Sequence, residues 1–104
     1  MAFGIKRKEL NEWKDKATNG EIAFITHFWV HPKYPHIHTV TKVGCCDIEQ
    51  LVKWGENYGL KREWIHKREQ FPHFDLLGEK QLEILENEKQ WDQIKKFLKK
   101  EIGK

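Results

Sequence analysis

Cysteine is scarce in this chain, and its two copies, Cys45 and Cys46, are neighbours. A disulfide between adjacent residues closes a strained ring and links no distant parts of a fold. A disulfide framework is therefore excluded, and the sequence predicts a reduced protein with a cytoplasmic location.

Long hydrophobic runs are also missing. No segment is apolar over the length that spans a bilayer, and the first residues show no signal-peptide pattern. The start of the chain lacks the serine or threonine expected of a myristoylation signal. We therefore expect no membrane partner.

The excess of one charge is small, because 19 lysines and arginines stand against 16 aspartates and glutamates, for a net charge of +3. The two signs are interspersed, which is typical of a solvated surface rather than of disorder. This balance permits a nucleic-acid or phosphate partner without requiring one.

Hydrophobic residues make up 38% of the 104 residues, and the mean hydropathy is −0.80. A chain of this length holds one core, so residues 1–104 are predicted to form a single domain. Five tryptophans and six phenylalanines compensate for the low apolar content, because each large ring removes much area from water.

Hydrophobic periodicity and turn residues divide the chain into helices and strands. The predicted helices cover residues 5–17, 47–58, 78–88 and a last stretch from about 90. The predicted strands cover residues 21–30, 36–43 and 71–77. The first strand is apolar on both faces, which indicates that it is covered from two sides.

The helix that follows Asp47 has the clearest boundaries. Asp47 suits the N-cap, and Gln50 follows three residues on, as in a capping box. Gly59 suits the left-handed position that ends a helix. Gly55 costs about 1 kcal/mol relative to alanine inside a helix, so its presence predicts close packing on the sheet.

The second strand, this helix and the third strand form a strand–helix–strand unit. Such crossovers are nearly always right-handed and join parallel strands. The predicted fold class is α+β or small α/β, with a three-stranded sheet, a strand–helix–strand crossover and about four flanking helices.

The segment Pro72-His73-Phe74-Asp75 places two titratable side chains in an otherwise apolar run. Positions i and i+2 of a strand face the same way, so His73 and Asp75 share one face. There they form a candidate catalytic acid–base pair, with Asp75 fixing the tautomer of His73. A buried histidine that satisfies a carboxylate in the core is an equally open interpretation.

His36 and His38 repeat the same spacing one strand earlier. If the two strands are parallel neighbours, both histidines lie beside His73 and Asp75, and these four side chains are candidate ligands for a divalent metal such as zinc, manganese or iron. Surface and core histidines outnumber metal ligands, so structural histidines are the preferred interpretation for His36 and His38.

The densest basic cluster precedes this segment and consists of Lys61, Arg62, His66, Lys67 and Arg68. Arginine binds phosphate bidentately, and lysine adds a point charge. If the loop folds over the histidine face, Arg62 and Arg68 form an anion-binding rim with Trp64 available for stacking. A solvated loop, partly neutralised by Glu63 and Glu69, is the other interpretation.

A combination of short stretches from His38 to about Leu85 carries a resemblance. The stretches are His38, Asp47-Ile48-Glu49-Gln50-Leu51, Gly59-Leu60, Trp64-Ile65 and Pro72-His73-Phe74-Asp75-Leu76. Together they resemble a family of small bacterial and phage domains of unknown function, which combines an Asp-capped helix, a Gly-Leu ending and a His-Tyr-Asp-Leu segment.

Two positions depart from that family. Phe74 stands where the family has tyrosine, which is expected to remove a hydroxyl from the site, and Glu86-Asn87-Glu88 replaces a small Gly-Ala pair. The resemblance marks His38, Asp47, His73 and Asp75 as the residues of interest, and it implies no activity.

Three functions remain open. The first is a binding module in which His38, Arg62, Trp64 and Arg68, beside the His73/Asp75 pair, hold a phosphate-bearing ligand, either a nucleotide or a nucleic acid. The second is a metal-dependent hydrolase, such as a phosphodiesterase or nuclease. The third is a small interaction protein whose histidines complete its core.

The binding module ranks first, because a basic rim with a polar pocket needs fewer coincidences than a metal site without a carboxylate cluster. The sequence leaves open whether the protein is an enzyme and what its oligomeric state is.

Overall fold

A computed structural model describes residues 6–67 and 71–98 of this chain. In chain order its elements are α1 (Arg7–Thr18), β1 (Ala23–Phe28), β2 (Thr39–Gly44), α2 (Ile48–Glu56), β3 (His73–Leu76), α3 (Gly78–Asn87) and α4 (Trp91–Gln93). A 3-10 turn covers Arg62–Trp64, and α4 continues as a π-helical turn over Ile94–Leu98. Within the described residues, a three-stranded sheet and four α-helices confirm the predicted α+β class.

Helix α2 begins after Asp47 as the sequence predicts, and it ends at Glu56, two residues before the predicted end. The Asp47 side chain accepts hydrogen bonds from the backbone N–H groups of Glu49 and Gln50 at 3.1 and 3.2 Å. These bonds satisfy two of the donors that every helix start leaves free. Gly59, with φ of 73°, takes the left-handed conformation after the helix.

We expect Asp47→Ala to lower the free energy of unfolding by about 1 kcal/mol, because two backbone donors lose their acceptor. Urea denaturation measures the change. Asp47→Ser keeps an acceptor oxygen at the N-cap and is the matched control, which is expected to retain most of the stability. Equal losses in both variants would show that the cap does not stabilise the helix.

The strands run antiparallel, and the predicted parallel crossover is therefore wrong. β2 pairs with β1 on one side, and with β3 on the other side from Thr41↔Leu76 to Gly44↔His73. The chain leaves the sheet at Gly44 and returns beside it at His73. Helix α2 and the 3-10 turn form the connection between these two points. Because this connection returns the chain to the same end of the sheet, β3 runs antiparallel to β2.

The inner face of the sheet carries the main core. Helices α2 and α3 cover it with buried side chains that include Leu51 and Ile84, and these pack on Val43 and Phe74. The predicted close approach of Gly55 is confirmed, because a Cβ atom there would lie 2.8 Å from two ring carbons of Phe74.

The outer face is covered in part by α1. Trp13 and Ala17 of this helix pack on Ala23 and Ile25 of β1. Burial on both faces of β1 agrees with its continuous apolar sequence. Across the described residues, no helix combines the length and apolar character needed to cross a membrane.

Candidate functional site

Strand β3 places His73 and Asp75 on the outer face of the sheet, and His66 joins them. The backbone N–H of His66 donates to the His73 carbonyl at 2.8 Å, and the N–H of His73 donates to the His66 carbonyl at 3.0 Å. The two imidazole rings stack with centroids 5.4 Å apart and planes 27° apart. We call His66, His73 and Asp75 the His–Asp cluster.

The Asp75 carboxylate faces the Nε2 atoms of both rings. Its Oδ2 atom is 3.3 Å from Nε2 of His66, and its Oδ1 atom is 3.6 Å from Nε2 of His73. Both distances exceed the usual range of a direct N–H···O hydrogen bond. Asp75 therefore contacts both rings and lies slightly closer to that of His66.

The His73 tautomer follows from its other nitrogen. Nδ1 of His73 is 3.0 Å from the Phe71 carbonyl oxygen, and because a carbonyl only accepts, Nδ1 carries a proton. The other ring nitrogen, Nε2, faces the Asp75 carboxylate.

The cluster is layered from the core to the solvent. His73 is only 3% exposed, whereas the side chains of Asp75 and His66 are 33% and 57% exposed. Lys42 on β2 is the cross-strand partner of Asp75. Asp75 and His66 are therefore the members of the cluster that solvent reaches, and His73 lies beneath them.

His36 and His38 do not join this cluster. Strand β2 begins only at Thr39, so both histidines lie in the preceding loop. The strand partner of His73 is Gly44, and His38 lies about 20 Å from Gly44 if the chain is as extended as a strand. The predicted gathering of these residues with His73 is therefore wrong, because it depended on parallel strands.

The structure does not assemble the predicted metal ligands. In residues 6–67 and 71–98, no group of three or more His, Cys, Asp or Glu side chains could hold a metal ion. His36 and His38 instead line a separate pocket of about 360 Å³ beside the first turn of α3. A ligand-binding role of His38 stays a prediction, and it concerns that pocket rather than the His–Asp cluster.

The basic loop does lie beside the His–Asp cluster. The rim that we define by Lys61, Trp64, His66 and Lys67 is exposed along its length. Trp64 is 49% exposed, and Nζ of Lys61 lies 5.7 Å from a Trp64 ring centroid, a cation–π distance.

Of the two arginines predicted for this site, the structure describes only Arg62. Arg62 donates to Glu49 of α2 at 2.7 Å, and this hydrogen bond lowers the pKa of the Glu49 carboxyl. Arg62 is therefore already bound to a carboxylate. Arg68 lies outside the described residues.

A protein of Bacillus subtilis (strain 168), described as Uncharacterized protein YneQ, is similar to this chain. The two sequences are 59% identical over 97 residues, which is 93% of this chain and 98% of YneQ. The chain belongs to the YneQ family. No family model matches the chain, and no solved structure matches it.

Membership in the YneQ family agrees with the coarser part of the resemblance, a bacterial family of unknown function. The description of YneQ names no activity, so none is carried over to this chain. The resemblance at the level of individual motifs stays a prediction. Any function for this member of the YneQ family has to be argued from its site.

Phe74, which stands where the resembling family has tyrosine, lies in the core and not in the site where the sequence predicts it. Phe74 points to the inner face, where its ring centroid lies 6.1 Å from that of Trp54. His73 and Asp75, its neighbours in sequence, point to the outer face. The position therefore belongs to the core, and a hydroxyl there would not enter the His–Asp cluster.

Two members of the site were missed by sequence reasoning. The sequence places His66 in the basic loop, and the β-branched Ile65 beside it is a weak local signal for a strand. Lys42 alternates with the buried residues Thr41 and Val43 on a strand. Its position beside Asp75 depends on strand register, which no local pattern gives.

Proposed function

We propose that this protein binds a phosphate-bearing ligand, a nucleotide or a single-stranded nucleic acid, on the rim beside the His–Asp cluster. The observation that carries this proposal is the pair of backbone hydrogen bonds between His66 and His73. They fix the rim at His66 to the edge of β3 that does not pair with β2, and His66 there contacts Asp75.

Trp64 supplies the stacking surface. Half of its area is exposed, and it follows the short 3-10 turn Arg62–Trp64, whose backbone is held by hydrogen bonds from Trp64 to Lys61 and from Ile65 to Arg62. An indole held in this way stacks on an unpaired base without regard to its identity.

The charges near Trp64 suit a phosphate. Lys61 and Lys67 are exposed on either side of it, and His66 adds a ring nitrogen. Glu63 and Asp75 are the nearby opposing charges, and His66 already contacts the carboxylate of Asp75. A bound phosphate would compete with Glu49 for Arg62, so the contribution of Arg62 is expected to be smaller than that of the lysines.

The test is fluorescence anisotropy with a labelled single-stranded oligonucleotide of about ten nucleotides, in the range of known site sizes, and with AMP as competitor. Trp64→Ala is expected to weaken oligonucleotide binding by roughly 5- to 100-fold, the loss of one stacked base. Lys67→Gln is expected to lower the slope of log affinity against log salt by about 0.7, the loss of one phosphate contact.

Trp91→Ala is the matched control, because Trp91 is 50% exposed but belongs to α4 rather than to the rim. It is expected to leave the affinity unchanged. Absence of binding by both probes at low salt, or equal losses for Trp64→Ala and Trp91→Ala, would remove the proposal. Competition by AMP at concentrations similar to those of the oligonucleotide would identify a mononucleotide ligand.

A small interaction protein with structural histidines is the second candidate, and the burial of His73 favours it. His73 is hydrogen-bonded to the Phe71 carbonyl and nearly inaccessible, as expected of a core residue. Asp75→Asn separates the two functions. A large loss of thermal stability with unchanged oligonucleotide binding supports the structural role of the cluster.

A further inference from the structure

The inner face of the sheet carries a row of polar side chains within its apolar core. They are threonines of β1 and β2 and glutamines of α3 and α4, namely Thr26, Thr39, Thr41, Gln81 and Gln93. The three threonines and Gln81 are at most 3% exposed. Burying such groups is costly unless each is hydrogen-bonded, and here each one is.

The direction of the bonds at the β1 end is fixed by chemistry. The Thr26 hydroxyl donates to Oε1 of Gln93, an oxygen that only accepts. A hydroxyl has one proton, so Thr41 is the donor in the contact of 2.7 Å between Thr41 and Thr26. Nε2 of Gln93 donates in turn to the Phe24 carbonyl at 3.0 Å.

The bonds at the other end point the same way. Thr39 donates to Oε1 of Gln81 at 3.1 Å, and Nε2 of Gln81 donates to Thr41 at 2.8 Å. We call this series, which runs from Thr39 to Gln93, the Thr–Gln chain. Every hydrogen bond in it is donated in the direction from Thr39 to Gln93, so each bond polarises and strengthens the next.

Each end of the Thr–Gln chain opens into a different pocket. Thr39 and Gln81 line the pocket of about 360 Å³ beside α3. Thr26 and Gln93 line a second pocket of about 280 Å³ that lies between α1 and the π-helical turn. An ion pair of 3.1 Å between Lys96 and Glu9 joins the two walls of this second pocket.

The same side chains can make the reverse series. If Oε1 of Gln93 no longer accepts from Thr26, the Thr26 hydroxyl rotates and donates to Thr41. The Thr41 hydroxyl then rotates and donates to Gln81. The Gln81 amide then turns over, so that its Nε2 donates to Thr39. These changes are hydroxyl rotations and one amide reversal, and they leave the backbone in place.

The two directions present different chemistry to the pocket beside α3. In the observed direction the Thr39 hydroxyl donates its hydrogen bond to Gln81, so that only its acceptor lone pairs can face the pocket. In the reverse direction Thr39 accepts from Gln81 and offers the pocket its proton. Thr39 is thus the residue through which a change at Gln93 reaches the other pocket.

We propose that the Thr–Gln chain couples the two pockets. A group that binds at Gln93 and removes its acceptor converts the pocket beside α3 from one that selects hydrogen-bond donors to one that selects acceptors. Two discrete arrangements of one buried network are the physical element that such coupling requires.

The first test follows the side-chain amide resonances of Gln81 by NMR in variants of Gln93. Gln93→Met removes the acceptor and is expected to shift these resonances, although Gln81 and Gln93 share no hydrogen bond. Gln93→Glu keeps an acceptor for Thr26 and is the matched control, which is expected to leave them nearly unchanged. Gln93→Lys, whose ammonium only donates, is expected to enforce the same reversal and is the substitute if Gln93→Met does not fold.

The second test is a double-mutant cycle between Thr39→Val and Gln93→Met. The loss of Tm in the double variant is expected to differ from the sum of the single losses by roughly 2–4 °C or more. The control cycle pairs Thr39→Val with Gln50→Met, a change at an exposed glutamine on α2, and is expected to be additive. The proposal would be overturned if the losses of Tm in the first cycle were additive. It would also be overturned if the Gln81 resonances stayed unchanged in both Gln93→Met and Gln93→Lys.

Discussion

Replacing Phe74 with alanine is expected to lower the free energy of unfolding by about 3–5 kcal/mol. Phe74 is the largest of the fully buried side chains, and it packs between the sheet and helix α2. The loss combines the transfer of its ring into water with the cavity left behind. Since domains of this kind unfold at a cost of about 5–15 kcal/mol in total, the variant is expected to be marginally stable.

Thermal denaturation measures this loss as a fall in Tm of at least about 10 °C. Trp64→Ala is the control for removing a large ring as such, because half of Trp64 is exposed. Its effect is expected to stay within about 0.5 kcal/mol, as is usual for surface positions. Similar losses in the two variants would contradict the assignment of Phe74 to the core.

Gly55 provides a sharper form of the same prediction. Gly55→Ala alone is expected to destabilise, because the new Cβ would lie 2.8 Å from the fixed Phe74 ring. In the Phe74→Ala background the ring is gone, and the same change is expected to stabilise by up to about 1 kcal/mol through helix propensity. A change of sign between the two backgrounds is the expected result, and stabilisation in both would disprove the close contact.

Acid is expected to destabilise this protein through His27. His27 is 6% exposed, its Nδ1 donates to the Phe28 carbonyl at 3.0 Å, and within the described residues its Nε2 has no hydrogen-bond partner. Burial lowers the pKa of His27 below the ordinary value of 6.5, and the charge of Lys42 lowers it further. The bond to Phe28 and the charge of Asp75 raise it by less.

The direction of the pH effect follows from this lowered pKa. Between the folded pKa and the unfolded value near 6.5, the unfolded chain binds more protons than the folded one. The contribution of His27 is therefore fully present above pH 6.5 and is lost as the pH falls through that window. For one group the slope reaches at most about 1.4 kcal/mol per pH unit.

Urea denaturation of wild type, His27→Gln and His27→Leu from about pH 7.5 to about pH 5 tests this prediction. Both variants are expected to lose stability less steeply on acidification, because neither replacement titrates. The two variants control for each other, since they differ in polarity and so in stability at pH 7.5. Slopes equal to that of wild type in both would show that His27 is not the group responsible.

Much of the local structure could be predicted from short stretches of sequence. Asp47 and Gly59 bound α2 because capping and left-handed turns depend on a few adjacent residues. The close packing of Gly55 could also be predicted, because a glycine inside a helix costs stability unless it permits a close contact. β2 starts three residues after the predicted residue 36, since alternation alone does not distinguish a strand from an extended loop.

The candidate site could be predicted only in part. His73 and Asp75 share a face because alternation is a local property of strands. The contact of His66 with them could not be predicted, because it depends on where a distant segment pairs. His38 was joined to the wrong partners for the same reason, and the Thr–Gln chain was missed because it links four elements.

The amino-acid sequence by itself determined the positions of the helices and strands to within a few residues, and the faces of each element, because hydrophobic periodicity and capping act over a few residues. The tertiary structure alone decided that β2 and β3 run antiparallel, and with it which histidines meet Asp75. The physical reason is that an alternating strand has the same pattern in either direction. Only the packing of α2 and the return of the chain at His73 select the antiparallel direction over the parallel one.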